Sequence, residues 1–260
     1  MRTANPALNA KAFNQTHSPG AGETMTLQGT VNKTFVLLGL LVLSAAWVWG
    51  KVMQPAAPVF EGLEGAARAM PSSIMPLMML GIFGGLIVGF VTIFKKQWAP
   101  VTAPIYALCE GLFIGGISAI FEVRYPGIVM QAVALTFGTL FCLLAAYKSG
   151  MIKPTENFKL GIVAATGAIC VIYFVSIIMG FFGASIPMIH GSGPVGIIFS
   201  LVVVTIAALN LVLDFDFIEQ GSTMGLPKYM EWYAAFGLVV TLVWLYIEIL
   251  RLLAKLQSRR

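Results

Sequence analysis

The sequence predicts an all-α integral membrane protein with seven transmembrane helices and no soluble catalytic domain. Three observations carry this. Of the 260 residues, 58% are hydrophobic and only 10% charged, whereas a soluble domain carries about 25% charged residues. Apolar runs recur along the chain at close to the roughly 20 residues that a helix needs to cross a hydrocarbon core about 30 Å thick. The runs are continuous rather than alternating, and continuous runs make helices where alternating ones make barrels.

Taken in order, the first span is Thr34 to Gly50, the shortest, and the second is Ile74 to Phe94. Val101 to Phe121 is the third, Gly127 to Tyr147 the fourth and Leu160 to Phe182 the fifth. Val195 to Leu213 is the sixth and Trp232 to Leu253 the seventh. Lys95 and Lys96 break spans two and three, and Lys148 to Lys159, with Pro154, breaks four and five. His190 to Pro194 and Gly221 to Pro227 supply the later breaks, and the connection Lys51 to Ser73, with three prolines, is the longest. This divides the chain into a polar, mobile tail over 1–32, a seven-helix domain over 33–254 and a basic tail over 255–260. The first 30 residues lack an apolar core, so they do not read as a signal peptide.

The net charge of +5, from 16 Lys and Arg against 11 Asp and Glu, suits a membrane surface, because most cations flank apolar runs. It gives no reason to expect nucleic acid as a partner. The expected partners are the bilayer and other membrane proteins. Cationic residues on the amino-terminal side (Arg2, Lys11, Lys33, Lys95, Lys96, Lys148, Lys153, Lys159 and Lys228) outnumber Lys51, Arg68 and Arg124 opposite. This favours a cytoplasmic amino terminus. Seven spans then place Arg251, Lys255, Arg259 and Arg260 outside, unless one span is re-entrant. Cys109, Cys142 and Cys170 lie in apolar runs without CxxC spacing and read as small buried hydrophobes.

An enzyme is not expected. His190-Gly191-Ser192-Gly193 resembles a serine site, but it lies in a Gly-Pro turn and the other histidine, His17, is in the tail. An aspartyl protease needs facing aspartates on two spans, and the chain has only Asp214 and Asp216. Span seven has no internal lysine for a retinal Schiff base, Lys255 falling beyond its edge. No cofactor is expected. A regulatory scaffold, such as a modulator of a membrane protease, is the alternative to a transport function.

Small residues mark close approach of helices: Gly81, Gly85 and Gly89 in span two, Gly111 and Gly115 in span three. Packing within one bundle is the simpler reading, a dimer face the other. The acids carry more information, because an intramembrane charge normally faces a partner, water or the bundle interior. Glu110 lies near mid-depth of span three, with no base within two turns. Asp214 and Asp216 close span six, followed by Glu219, about 200° apart on a helix and so on different faces. Asn210 stands one turn before Asp214. Glu248 lies deep in span seven, with Arg251 three residues on as a local ion-pair partner. In straight helices Asp214 and Glu248 fall toward opposite faces of the membrane.

Several stretches share a pattern. Span six reads Ala207-Ala208-Leu209-Asn210 and ends Leu-Asp-Phe-Asp-Phe-Ile at 213–218, and span seven ends LYIEILRLL at 245–253. Span three carries EGLFIGGIS at 110–118, span four Gln131-Ala132 and Thr136-Phe137, and the start reads NPALNAKAF at 5–13. Together, over nearly the whole chain, these resemble the bacterial branch of the Bax inhibitor-1 family, the transmembrane Bax-inhibitor-motif proteins. The resemblance implies a bundle with the last helix central. It also implies a pH-sensitive calcium leak gated by aspartates on helices six and seven. Their positions fall on Asp214, with Asp216 as the alternative, and on Glu248; Asp214 is then the candidate calcium ligand. Two departures are visible: the second acid is Glu, and it stands 34 positions after Asp214. The gate's logic is general. A buried or paired carboxylate holds its proton to higher pH, and losing it creates charge that a hard cation can use. On that logic Asp214, with Glu248, Asp216 or Glu110, lines a cation path. The resemblance, with no endoplasmic-reticulum retention ending, points to a bacterial inner membrane.

Overall fold

The computed structural model describes residues 23–53, 74–183 and 191–259. They form seven long helices: α1 (Leu27–Met53), α2 (Ile74–Phe94), α3 (Ala99–Arg124), α4 (Ile128–Lys148), α5 (Glu156–Phe181), α6 (Pro194–Thr223) and α7 (Met230–Gln257). Each is long and apolar enough to cross a membrane. Span two has the predicted limits. Most others run beyond the apolar run, because a helix continues wherever its polar residues find partners. Helix α1 begins at Leu27 rather than Thr34, so the last six residues assigned to the tail over 1–32 are helical. Helix α7 runs to Gln257 and includes Lys255, which had been placed beyond its edge. The stretch NPALNAKAF, His17, His190 and the prolines and acids of the connection after α1 lie outside the described residues.

Helix α7 is the axis of the bundle. In its most apolar stretch 67% of residues are buried, against 17 to 44% for the others. It packs on α1, α3, α4 and α6, and Phe236, Val239, Leu242 and Leu245 sit in the core. Residues on the outer helices, such as Phe35, Phe83, Phe141 and Phe174, are exposed, as a lipid-facing surface requires.

Two glycine rows set the closest packing. Gly81 and Gly85 of α2 face Cys109, Glu110 and Phe113 of α3, and Gly111 and Gly115 of α3 face Leu41 and Ala45 of α1. Helix α3 is therefore clasped on two sides, which accords with packing inside one bundle. Turns are fixed by specific groups. The Glu122 carboxylate accepts the amides of Gly127 (2.6 Å) and Val129 (3.1 Å), capping α4 after the left-handed Gly127. Thr155 accepts the Phe158 amide and starts α5. Residues just before α1 lie across the α6–α7 link: Met25 N–H donates to Leu226, and Lys228 N–H to Glu23.

Candidate functional site

The acids singled out from the sequence lie in three environments. Asp214 is wholly buried, at 0% exposure. It does not close its helix: α6 continues nine residues past it to Thr223, about 13 Å at 1.5 Å per residue. The ending at Leu213 is thereby corrected: Asp214 lies more than two turns from the helix end, beyond the reach of the negative C-terminal dipole. One turn earlier, Asn210 donates to Thr166 Oγ1 of α5 at 2.9 Å and to its own helix's Ile206 carbonyl.

Asp216 faces elsewhere, as the helical geometry predicts. Its carboxylate meets Lys159 Nζ of α5 at 2.8 Å and accepts from Gln220 at 2.6 Å. Lys159, counted from the sequence as a loop cation, is buried and also pairs with Glu156. So Asp216 has a base beside it, supplied from α5. Glu219 accepts from the Tyr147 hydroxyl of α4. These pairs explain why α6 stays helical beyond its apolar run.

Depths follow from cross-helix contacts. Lys255 of α7 reaches Gly196 and Ser200 at the start of the antiparallel α6. Counting inward on both helices puts Asp214 level with about residues 237 to 241 of α7. Tyr106 of α3 packs on Phe236 with ring centroids 4.8 Å apart, and Ser118 bonds Tyr246 at 2.7 Å. On that register Glu110 is level with about residues 238 to 240. Asp214 and Glu110 thus flank α7 at a common depth near the buried Thr241. Glu110 packs against Gly85 of α2, with the Tyr106 hydroxyl as polar neighbour.

Glu248 stands about 12 Å further along α7. There it accepts from the Tyr173 hydroxyl at 3.0 Å on both oxygens and from Arg251 Nη1 at 3.3 Å. The expected local ion pair is present. Asp214 and Glu248 are therefore separated in depth, and the acid that shares the level of Asp214 is Glu110. Among the described residues no group of three or more His, Cys, Asp or Glu closes around a point. Asp214 is therefore not part of a closed carboxylate cluster among the described residues.

Against this geometry, the family model described as "Bax inhibitor 1 like" matches residues 5–258. The chain belongs to that family. No curated protein and no solved structure matches it. Membership of the Bax inhibitor 1 like family accords with the seven-span architecture and makes the chain an integral membrane protein of that kind.

One acid escaped the sequence reading. Glu231, in the first turn of α7, is wholly buried. It accepts from Lys33 Nζ of α1 and from the amide and hydroxyl of Thr26, both at 2.9 Å, with Lys228 Nζ at 3.4 Å. Burial lowers the pKa of Lys228, but Glu231 and Glu23 outweigh it and hold it above the ordinary lysine value. The cluster ties the start of α1 to the start of α7. An acid three residues after Lys228 was the available signal, but its main partner lies 198 residues away.

Proposed function

We propose that this protein is a non-enzymatic, pH-sensitive cation leak with calcium as the permeant ion, and that Asp214 is its gating carboxylate. The observation that carries the reading is the complete burial of Asp214 deep in α6, against the central helix, in a chain of this family. A carboxylate in such a place is costly to keep charged and is retained mainly for function. Its protonation state changes the charge at the bundle centre by one unit. Protonated, it is a neutral side chain packed between helices; ionised, it offers oxygen to a hard cation and disfavours the dry packing around it. Glu110, level with it across α7, is the second carboxylate that a passing cation would meet. The proposed setting is a bacterial inner membrane with the amino terminus cytoplasmic. Lys95, Lys96, Lys148, Lys153 and Lys228 at one end of the bundle support that orientation.

The test is calcium entry into liposomes holding the purified protein, measured from about pH 5 to pH 8, the range in which a shifted carboxylate titrates. The wild type is expected to show a pH-dependent flux. Asp214→Asn imitates the protonated acid at every pH, so it is expected to hold the flux at its low-pH value throughout. Glu110→Gln is expected to lower calcium flux while leaving a pH response. Folded protein without flux at any pH would sink the reading and favour a scaffold acting through other membrane proteins.

A further inference from the structure

At the opposite end from Lys33 and Glu231, a cavity of about 400 Å³ opens among α3, α5, α6 and α7. One face of α7 supplies its charges: Glu248, Arg251 and Lys255, spaced three and four residues apart and so aligned along the helix. One carboxylate stands against two cations, so the lining carries a net positive charge. The carboxylate is engaged by Tyr173 and Arg251. Arg251 is half exposed and its guanidinium lies over the Tyr173 ring, 5.6 Å from the centroid. Lys255 Nζ donates to Ser200 Oγ at 2.8 Å and to the Gly196 carbonyl at 3.1 Å, both neutral oxygens. This lining is unsuited to a divalent cation and suited to an oxyanion.

Position indicates what carries the oxyanion. Lys255 is two residues from the end of α7, and Ser200 six residues into α6. Arg251 and Lys255, six and two residues from the end of α7, therefore lie about 3 to 9 Å inside the helix end, where headgroups meet acyl chains. Among the described residues α5 packs chiefly on α6 and makes no substantial contact with α3. The outer lip of the cavity is Ile177, with Phe174 and Ile178 beside it on α5, all exposed. An apolar lip on a basic cavity matches a molecule with a phosphate at one end and hydrocarbon at the other.

We infer that this cavity binds a membrane phospholipid, with Arg251 and Lys255 holding its phosphodiester and its acyl chains lying along the outer face of α5. Arginine offers a planar fork of donors and lysine a point charge, the pair of groups that proteins use for phosphate. Glu248 has a positioning role: it holds Arg251 and Tyr173 and limits the positive charge. The inference is independent of the calcium reading.

The experiment is a lipid titration of the purified full-length protein in detergent, read by thermal unfolding and by native mass spectrometry. The probes are phosphatidylglycerol, diacylglycerol (which lacks the phosphate) and inorganic phosphate. Phosphatidylglycerol is expected to bind saturably and to raise the unfolding temperature, with diacylglycerol ineffective. Arg251→Gln and Lys255→Gln are each expected to weaken half-saturation about tenfold, the scale of one lost charged hydrogen bond. Lys255→Arg, which keeps the charge, is expected to retain binding and guards against misfolding of the Gln variants. Glu248→Gln, which can still accept from Tyr173, is expected to bind the lipid more tightly. Equal weakening by Lys148→Gln, at the other end of the bundle, would reduce the effect to general surface charge and overturn the site. Displacement of the lipid by millimolar inorganic phosphate would make it a soluble-anion site and overturn the lipid assignment. Equal binding of diacylglycerol would overturn the role of the phosphate.

Discussion

Gly111→Ala is expected to destabilise the protein, whereas Gly39→Ala, the same substitution on a neighbouring helix, is expected to be neutral or slightly stabilising. A Cβ at Gly111 would fall on the carbonyl of Leu41 and against Ser44, and one at Gly115 on the backbone of Ala45. These obstacles are mostly main chain, so no rotamer change relieves them and α1 must move away from α3. Nothing lies within 4 Å of a Cβ at Gly39, so there the gain in helix propensity, up to about 1 kcal/mol, is all that acts. Overpacking of this kind costs about 1–3 kcal/mol per site. Between membrane helices it also removes the close backbone approach that holds them together. Gly111→Ala with Gly115→Ala should leave little folded protein. Thermal unfolding in detergent, followed by helicity and by monodispersity, compares the variants. Equal melting temperatures for Gly39→Ala and Gly111→Ala would mean that the α1–α3 contact is looser than described.

The glycine rows show what one chain can reveal by itself. Spacing by four announced a close contact, and hydropathy announced seven spans. Neither indicated that Gly81 and Gly85 meet α3 while Gly111 and Gly115 meet α1, because the partner of a helix face is not written in its own period. Helix ends were misjudged for a related reason. Asp214, Asp216 and Glu219 look like the close of a span to any measure that adds up apolar residues. In the fold Asp216 has Lys159 and Glu219 has Tyr147, so α6 runs ten residues further than Leu213. The Glu248–Arg251 pair was legible because both partners share one helix. The common depth of Glu110 and Asp214 was not, since it depends on the parallel register of α3 with α7, set by Tyr106 on Phe236 and Ser118 on Tyr246.

Lys33→Met is expected to be among the most damaging single changes outside the glycine rows. Lys33 is mostly buried and Glu231 completely so, and the lysine also lies over the Trp232 ring, 5.6 Å from its centroid. Methionine fills the space of the stem but leaves a buried carboxylate short of its main counter-charge. Removing one partner of a buried pair costs about 3–5 kcal/mol, because the remaining charge stays desolvated. Thr26 and Lys228 still serve Glu231, which places the cost toward the lower end. The second change separates charge from shape. Glu231→Gln on the Lys33→Met background removes the stranded charge while keeping an acceptor for Thr26, so the double variant is expected to be more stable than Lys33→Met alone. Urea or thermal unfolding of the wild type, both single variants and the double closes the cycle. A double variant no better than the sum of its parts would mean that the two residues stabilise the bundle separately. Recovery would show that the start of α1 is tied to the start of α7 through this one pair. Because α7 runs from that pair past the level of Asp214, the same cycle read by calcium flux asks whether the tie also holds the proposed gating carboxylate in place.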